Sequence, residues 1–318
     1  MKTIPLDEMR FLEGLAQDDR DLVRAAAKSD LHSHSGLGFR LEVLERWSEK
    51  KISAPPSEML SLEEMNRWII DEIQELYSER ACFEFAIRAA LAEAWNDGVI
   101  LLEMSVDISF LSHYDNDPDR FGRFIHEAHR VVAPEINFRA EIGLARDKDP
   151  AVSLPMAMAC IDAGHFASID LYGTEDAREP EAYQALYRAA RAKGLKCKAH
   201  VGEFGDAETL LHTARVLELD TIQHGIAAAT SPEAMAWLAK EGITLNICPT
   251  SNVRLSRVSS MKAHPIRHLF DAGVSVTINS DDIMVFNQTV TDEYLNLFRA
   301  GVMSAEELNL IRLNGLIQ

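Results

Sequence analysis

Two histidines separated by one residue, His32 and His34, stand where a short apolar stretch gives way to Ser35-Gly36-Leu37-Gly38. Side chains alternate in direction along a strand, so residues two apart project from one face and both imidazoles can grip a single ion. Taken alone, the pair suits an incidental surface pair equally well. Three other apolar runs also close on ionisable groups, at His200-Val201-Gly202-Glu203, His224-Gly225 and Ser280-Asp281-Asp282. Singly, His200 or His224 suits a hydrogen-bonded core histidine, Glu203 a loop carboxylate, and Asp281-Asp282 a turn or a helix N-cap. Together they gather at the C-terminal ends of strands, the rim where barrels of alternating strands and helices react, and a shared site accounts for them better. Three imidazoles and one carboxylate suit a borderline-soft divalent ion, zinc first, which lowers the pKa of bound water towards neutrality. A carboxyl group beside the ion can pass a proton to a leaving group or ring, and a further imidazole can orient the hydroxide. Glu203 and His224 are placed for those roles.

These residues need a scaffold, and the chain alternates Val-, Ile- and Leu-rich runs with longer segments of helical period, the pattern of repeated βα units around a parallel sheet. Eight strands are expected, near Ser29 to His34, Val99 to Met104, Ile136 to Ile142, Phe166 to Leu171, Leu195 to Val201, Leu219 to His224, Ile243 to Ile247 and Val274 to Asn279. Between them the pattern predicts helices such as Glu181 to Lys193, closed by Gly194, and Pro232 to Lys240, with Ser231 as its N-cap. The interval from Arg40 to Asp97 exceeds one crossover; Ala54-Pro55-Pro56 reads as a loop after which Ser57 starts a fresh helix. Extra helices are therefore expected there. Phe39, Trp47, Met59, Met65 and Trp68 in and beside this interval suit either an active-site lid or plain core. The fold class expected is α/β, a (β/α)8 TIM barrel with additional helices.

With 318 residues, 47% of them hydrophobic, the chain can bury one large core, and no repeat or linker divides it. A single domain over residues 1–318 is expected, residues 1–28 forming an N-terminal helical extension. A net charge of -18 repels phosphodiester backbones, and no run of Lys and Arg outweighs it, so the expected partner is a small molecule rather than a nucleic acid. Cys82, Cys160, Cys197 and Cys248 are scattered without a CxxC pair, which fits a reducing cytoplasm and neither a thiolate zinc cluster nor a disulfide framework. The acidic residues among the first 28 argue against a signal peptide, and no uncharged stretch is long enough to span a bilayer, so no membrane partner is expected.

The order of motifs resembles the adenosine deaminase family of the amidohydrolase superfamily from Lys28 to about Asn314. Asp30-Leu31-His32-Ser33-His34 is similar to the family's opening metal motif, and Asp170-Leu171-Tyr172-Gly173 to the segment whose glycine backbone meets the purine. His200-Val201-Gly202-Glu203 resembles HAGE, Ile222-Gln223-His224-Gly225 the HG strand, and Cys248-Pro249-Thr250-Ser251-Asn252 the CPxSN segment. His264-Pro265 and Asn279-Ser280-Asp281-Asp282 are similar to the family's HP and N-[ST]-DD. The resemblance implies one zinc per chain held by His32, His34, His200 and Asp281. It further implies that Glu203 protonates the purine ring, His224 orients the hydroxide, and Gly173 and Asp282 meet the ring. The expected reaction is hydrolytic removal of ammonia from a 6-aminopurine-like molecule: adenosine, adenine, or a modified adenosine or nucleotide.

One departure bears on the substrate. Adenosine deaminases follow HxH with Leu-Asp-Gly, whose aspartate meets the ribose 5'-hydroxyl, whereas this chain has Ser35-Gly36-Leu37. The second strand also ends in Glu103-Met104-Ser105 where relatives often have Glu-Leu-Arg. Other readings compete. Related barrels hydrolyse amides, lactones or phosphotriesters, often with two metals bridged by a lysine; Lys198 lies two residues before His200, but such lysines belong to an earlier strand end, so one metal is favoured. Nucleic-acid base deaminases pair H-x-E with P-C-x-x-C, and Cys248-Pro249 has the opposite order with no second cysteine. A non-catalytic barrel would have lost part of the metal and proton-transfer set, and none is lost.

Overall fold

The computed structural model describes residues 6–318. Eight parallel strands follow one another around the sheet in sequence order: β1 Lys28–His34, β2 Val99–Asp107, β3 Asn137–Ala145, β4 Ser168–Tyr172, β5 Lys196–Val201, β6 Thr221–His224, β7 Thr244–Ile247 and β8 Val276–Ile278. The seam between last and first strands is drawn together by the Asp281 N–H donating to the His32 carbonyl at 2.9 Å and the Leu31 N–H donating to the Asn279 side chain at 2.8 Å. The Asp30 carboxylate reinforces it, accepting from the Ser280 hydroxyl at 2.5 Å. With helices outside and the strands' apolar runs buried, the protein is an α/β (β/α)8 barrel.

Local chemistry explains where the helices start. Asp117, Asp149 and Ser231 each cap a helix whose first residue is proline, at Pro118–Val132, Pro150–Ala163 and Pro232–Glu241. Expected helix Glu181 to Lys193 opens as a 3-10 turn over Pro180–Tyr183 and continues as an α-helix over Gln184–Ala192. In the long β1–β2 interval the fresh helix does not begin at Ser57. It runs over Leu62–Glu72, with the Ser61 hydroxyl accepting from the Glu64 N–H. The cause is a competing set of partners: Met59 N–H donates to the Arg254 carbonyl at 2.8 Å and the Ser256 hydroxyl to the Met59 carbonyl at 2.8 Å, holding this stretch against the loop that follows β7. Phe39, Met59, Met65 and Trp68 are buried there, whereas Trp47 is 40% exposed and stacks on Phe85.

Of the expected N-terminal extension, residues 1–5 lie outside the described residues; the remainder forms helices Leu6–Gln17 and Arg20–Ala25. They dock on the end of the chain through Phe11 edge-on to Tyr294 and through Arg312, which donates to Asp7 and to the Ala27 carbonyl. No described helix is long and apolar enough to cross a membrane.

The barrel interior is polar beneath the histidines. Asn246 donates to Gln223 at 2.8 Å and to the Leu31 carbonyl at 2.9 Å, while Thr277 donates to Asn246 at 2.8 Å. In the same interior, within reach of the same Leu31 carbonyl, buried Lys198 is ion-paired with both Glu103 and Glu141. The lysine weighed as a metal bridge is thus fully engaged in a structural triad.

Candidate active site

The carboxyl ends of β1, β5, β6 and β8 bring the predicted residues to one place. His32 Nε2 lies 3.0 Å from His200 Nε2, and ligand atoms of His32, His34 and His200 all fall within 4.8 Å of one another. Asp281 Oδ1 is 3.9 Å from His32 Nε2 and 3.8 Å from His34 Nε2. Two of the rings are oriented from behind: His32 Nδ1 faces the Asn246 carbonyl at 3.3 Å, and His200 Nδ1 faces Asp170 Oδ1 at 3.1 Å. With Nδ1 carrying the hydrogen, Nε2 turns its lone pair inward, the arrangement that fixes metal-binding imidazoles.

Electrostatics point the same way. Burial, followed by the neighbouring imidazoles, holds His32 and His224 well below the usual histidine range, and burial with His200 brings His34 down to about 4. For His200, burial disfavours the charge but the Asp170 carboxylate outweighs it and raises the pKa. The His32 and His34 rings held neutral, the inward-facing His200 Nε2 and a closing carboxylate fit a divalent cation of zinc's type. His32, His34, His200 and Asp281 are the residues that could hold it.

Beside this cluster His224 Nε2 lies 3.4 Å from Glu203 Oε2 and 3.8 Å from Asp281 Oδ2. Both His224 and Asp281 adopt left-handed backbone, each with φ of 62°, a conformation side chains other than glycine rarely take and one that concentrates at functional sites. Glu203 is held by Glu175, whose carboxylate accepts the N–H groups of Gly202, Glu203 and Phe204 at 2.7, 2.8 and 2.7 Å. Burial, Asp281 and Glu175 push the Glu203 carboxyl well above the usual carboxylate range, which favours its protonated form. Asp282 is raised likewise by burial and Asp281, and its Oδ1 is buried without a hydrogen-bond partner.

Gly173 follows β4 with φ of +95°, and a Cβ there would stand 2.4 Å from Asp147 Oδ2, so only glycine fits. Its neighbour Tyr172 packs its ring 5.4 Å from that of His34 and donates to Asp107 at 2.6 Å. At Gly36 an added Cβ would meet nothing nearer than Tyr77 Cε1 at 3.9 Å, and the Tyr77 hydroxyl donates to the Gly36 carbonyl. Sequence reasoning gave no role to Asp170, Glu175, Asn252 or His264. Asp170, Asn252 and His264 were polar residues inside motifs already noted, whereas Glu175 lies two residues past Gly173 and outside any of them.

The fold and this cluster define a barrel hydrolase with a candidate metal centre at its C-terminal rim. The sequence matches the adenosine deaminase family over residues 55–317. A Treponema pallidum protein assigned as an adenosine/adenine deaminase is 33% identical over 297 residues, covering 91% of this chain and 98% of its own. This chain belongs to the adenosine deaminase family, and it is a hydrolase acting as an aminohydrolase. Among solved structures, an adenine deaminase from Arthrobacter aurescens superposes with a TM-score of 0.77 at 23% identity, covering 91% of this chain and 92% of its own. An amidohydrolase from Burkholderia ambifaria with bound Zn gives 0.75 at 22% identity, covering 94% and 87%. Both share the fold.

Proposed function

We propose that the chain is a zinc-dependent deaminase of a 6-aminopurine-like small molecule, with His32, His34, His200 and Asp281 holding one ion. One observation carries the reading: two carboxyls with buried side chains, Glu203 beside His224 and Asp282 beside Asp281, flank the four-ligand cluster, and burial raises the pKa of both, which favours the protonated form. Ionised carboxylates only accept hydrogen bonds, whereas protonated ones donate, and purine ring nitrogens are acceptors. When bound, the ion supplies a Lewis acid that lowers the pKa of water. Glu203 gives its proton to the ring nitrogen beside the amino-bearing carbon as water adds to that carbon. His224 directs the water, and Asp282 and the Gly173 backbone hold the ring. One hydrogen of the added water restores the proton that Glu203 gave up, and the other passes from the new hydroxyl to the amino group; the C–N bond then breaks, ammonia leaves, and the oxygen remains on the ring as a carbonyl.

The sugar end is read from Gly36. No carboxylate at that position rewards an unmodified 5'-hydroxyl, and a hydrogen bond to a charged group contributes roughly 1.5 to 3 kcal/mol, so adenosine should turn over with efficiency lower by about one to two powers of ten than the best substrate. That substrate lacks the ribose or carries a different group at its 5' end. Ammonia release from a panel of aminopurines, their nucleosides and nucleotides, and aminopterins tests both levels. Adenosine as the best substrate by a wide margin overturns the reading of Gly36; turnover of amides or lactones alone overturns the purine reading.

A further inference from the structure

Asn252 is fully buried, and every polar atom of its side-chain amide has a partner. Nδ2 lies 3.2 Å from Glu203 Oε1 and 3.3 Å from His224 Nδ1, while Oδ1 lies 3.2 Å from His264 Nε2. The direction of these bonds is fixed from outside the site. The backbone N–H of Ile266 can only donate, and it donates to His264 Nδ1 at 3.1 Å. His264 is buried and burial brings it down to about 3, so the neutral ring carries its single hydrogen on Nε2. That hydrogen requires an acceptor, which obliges Asn252 to turn its oxygen to His264 and its NH2 group to Glu203 and His224.

The consequences reach both reacting groups. A donor facing His224 Nδ1 makes that nitrogen the acceptor and leaves the ring's hydrogen on Nε2, the atom between Glu203 Oε2 and Asp281 Oδ2. A donor facing Glu203 Oε1 leaves that acid's own hydrogen on Oε2. We propose that His264 is a positioning residue which, through Asn252, fixes the proton of His224 on Nε2 and that of Glu203 on Oε2. The inference rests on the roles given above to His224 and Glu203. Neither Asn252 nor His264 belongs to the proposed metal set.

A merely space-filling His264 would tolerate an apolar side chain of similar length, so the test compares His264→Gln, which keeps a donor near the Nε2 position, with His264→Met, which does not. The full chain is labelled with 15N-histidine and loaded with zinc, and the His224 resonances are assigned by their loss in His224→Gln. Long-range 1H–15N correlation spectra should show His224 unprotonated at Nδ1 in the wild type and in His264→Gln, and protonated there, wholly or in part, in His264→Met. In turnover, His264→Met should lose about tenfold or more in kcat at unchanged KM and metal content, the direction expected when a catalytic imidazole leaves its working tautomer, and His264→Gln should recover most of it. Should His264→Met fail to fold, the near-isosteric Asn252→Asp serves in its place: a carboxylate facing Nδ1 should draw the hydrogen onto it. An Nε2–H tautomer retained in His264→Met or Asn252→Asp, or an Nδ1–H tautomer in the wild type, overturns the relay. A wild type that deaminates no aminopurine defeats the proposed function instead, while the spectra still decide the relay.

Discussion

At the residue scale, the site is a matter of where hydrogens sit. Asp170 and the Asn246 carbonyl turn imidazole lone pairs inward, and burial raises the pKa of Glu203 and Asp282, which favours their protonated forms. The sequence made the ionisable groups visible because they stand at the ends of apolar runs. It did not show Glu175 holding three N–H groups of the Glu203 loop, nor the left-handed backbone at His224 and Asp281, because both depend on contacts across the barrel rather than along the chain. A pH prediction belongs here. An acid must be protonated to act, and burial raises the Glu203 pKa well above the ordinary carboxylate range; kcat/KM should therefore hold through that range and fall only above it as Glu203 ionises. A pH–rate profile measured on the best aminopurine checks this. A fall centred in the ordinary carboxylate range, about pH 4 to 5, would remove Glu203 from the role of acid.

At the scale of elements, all eight strands were legible, since each is a short buried stretch between helical segments, most of them rich in Val, Ile and Leu, and β1 marked instead by its closing His32-Ser33-His34. Their inward faces were not. Lys198, Glu103 and Glu141 lie in three different strands, and only barrel closure makes them one ion triad in place of three unrelated charges. The misplaced helix start has a similar cause: Ser57 had the local chemistry of an N-cap, but its neighbourhood is tied to residues nearly two hundred positions away, and Ser61 caps the helix instead. Replacing Lys198 with Met should leave two carboxylates buried without their shared cation, a loss of about 3 to 5 kcal/mol on the scale of broken buried pairs. Urea unfolding of the variant measures it. A change within about 0.5 kcal/mol would mean that the carboxylates lose their charge at no cost.

At the scale of the molecule, the proposed ligands come from β1, from β5 and from the residues after β8, so a bound ion ties the chain's beginning to its end at the seam where Asp281 meets His32. An ion that binds only the folded chain stabilises it by about 2.7 kcal/mol at a concentration of about 100 times its Kd. Chelation should therefore lower the Tm, and zinc should restore it, with one equivalent per chain by elemental analysis. Two equivalents, or a melting temperature indifferent to chelation, would contradict a single centre across the seam. The fold class and the family order of motifs are readable in the sequence, because they rest on periodicity and on local spacing; the substrate's sugar end is not, because Gly36 shows only what is missing.

The most direct test of the account is the turnover of Glu203→Gln against wild type on the best aminopurine, at equal metal content. Gln is nearly isosteric and leaves the four proposed ligands untouched, but it has no proton to give. The account predicts one equivalent of metal in both proteins and a loss of about a hundredfold or more in kcat for the variant. A fully loaded variant that turns over at the wild-type rate would contradict it.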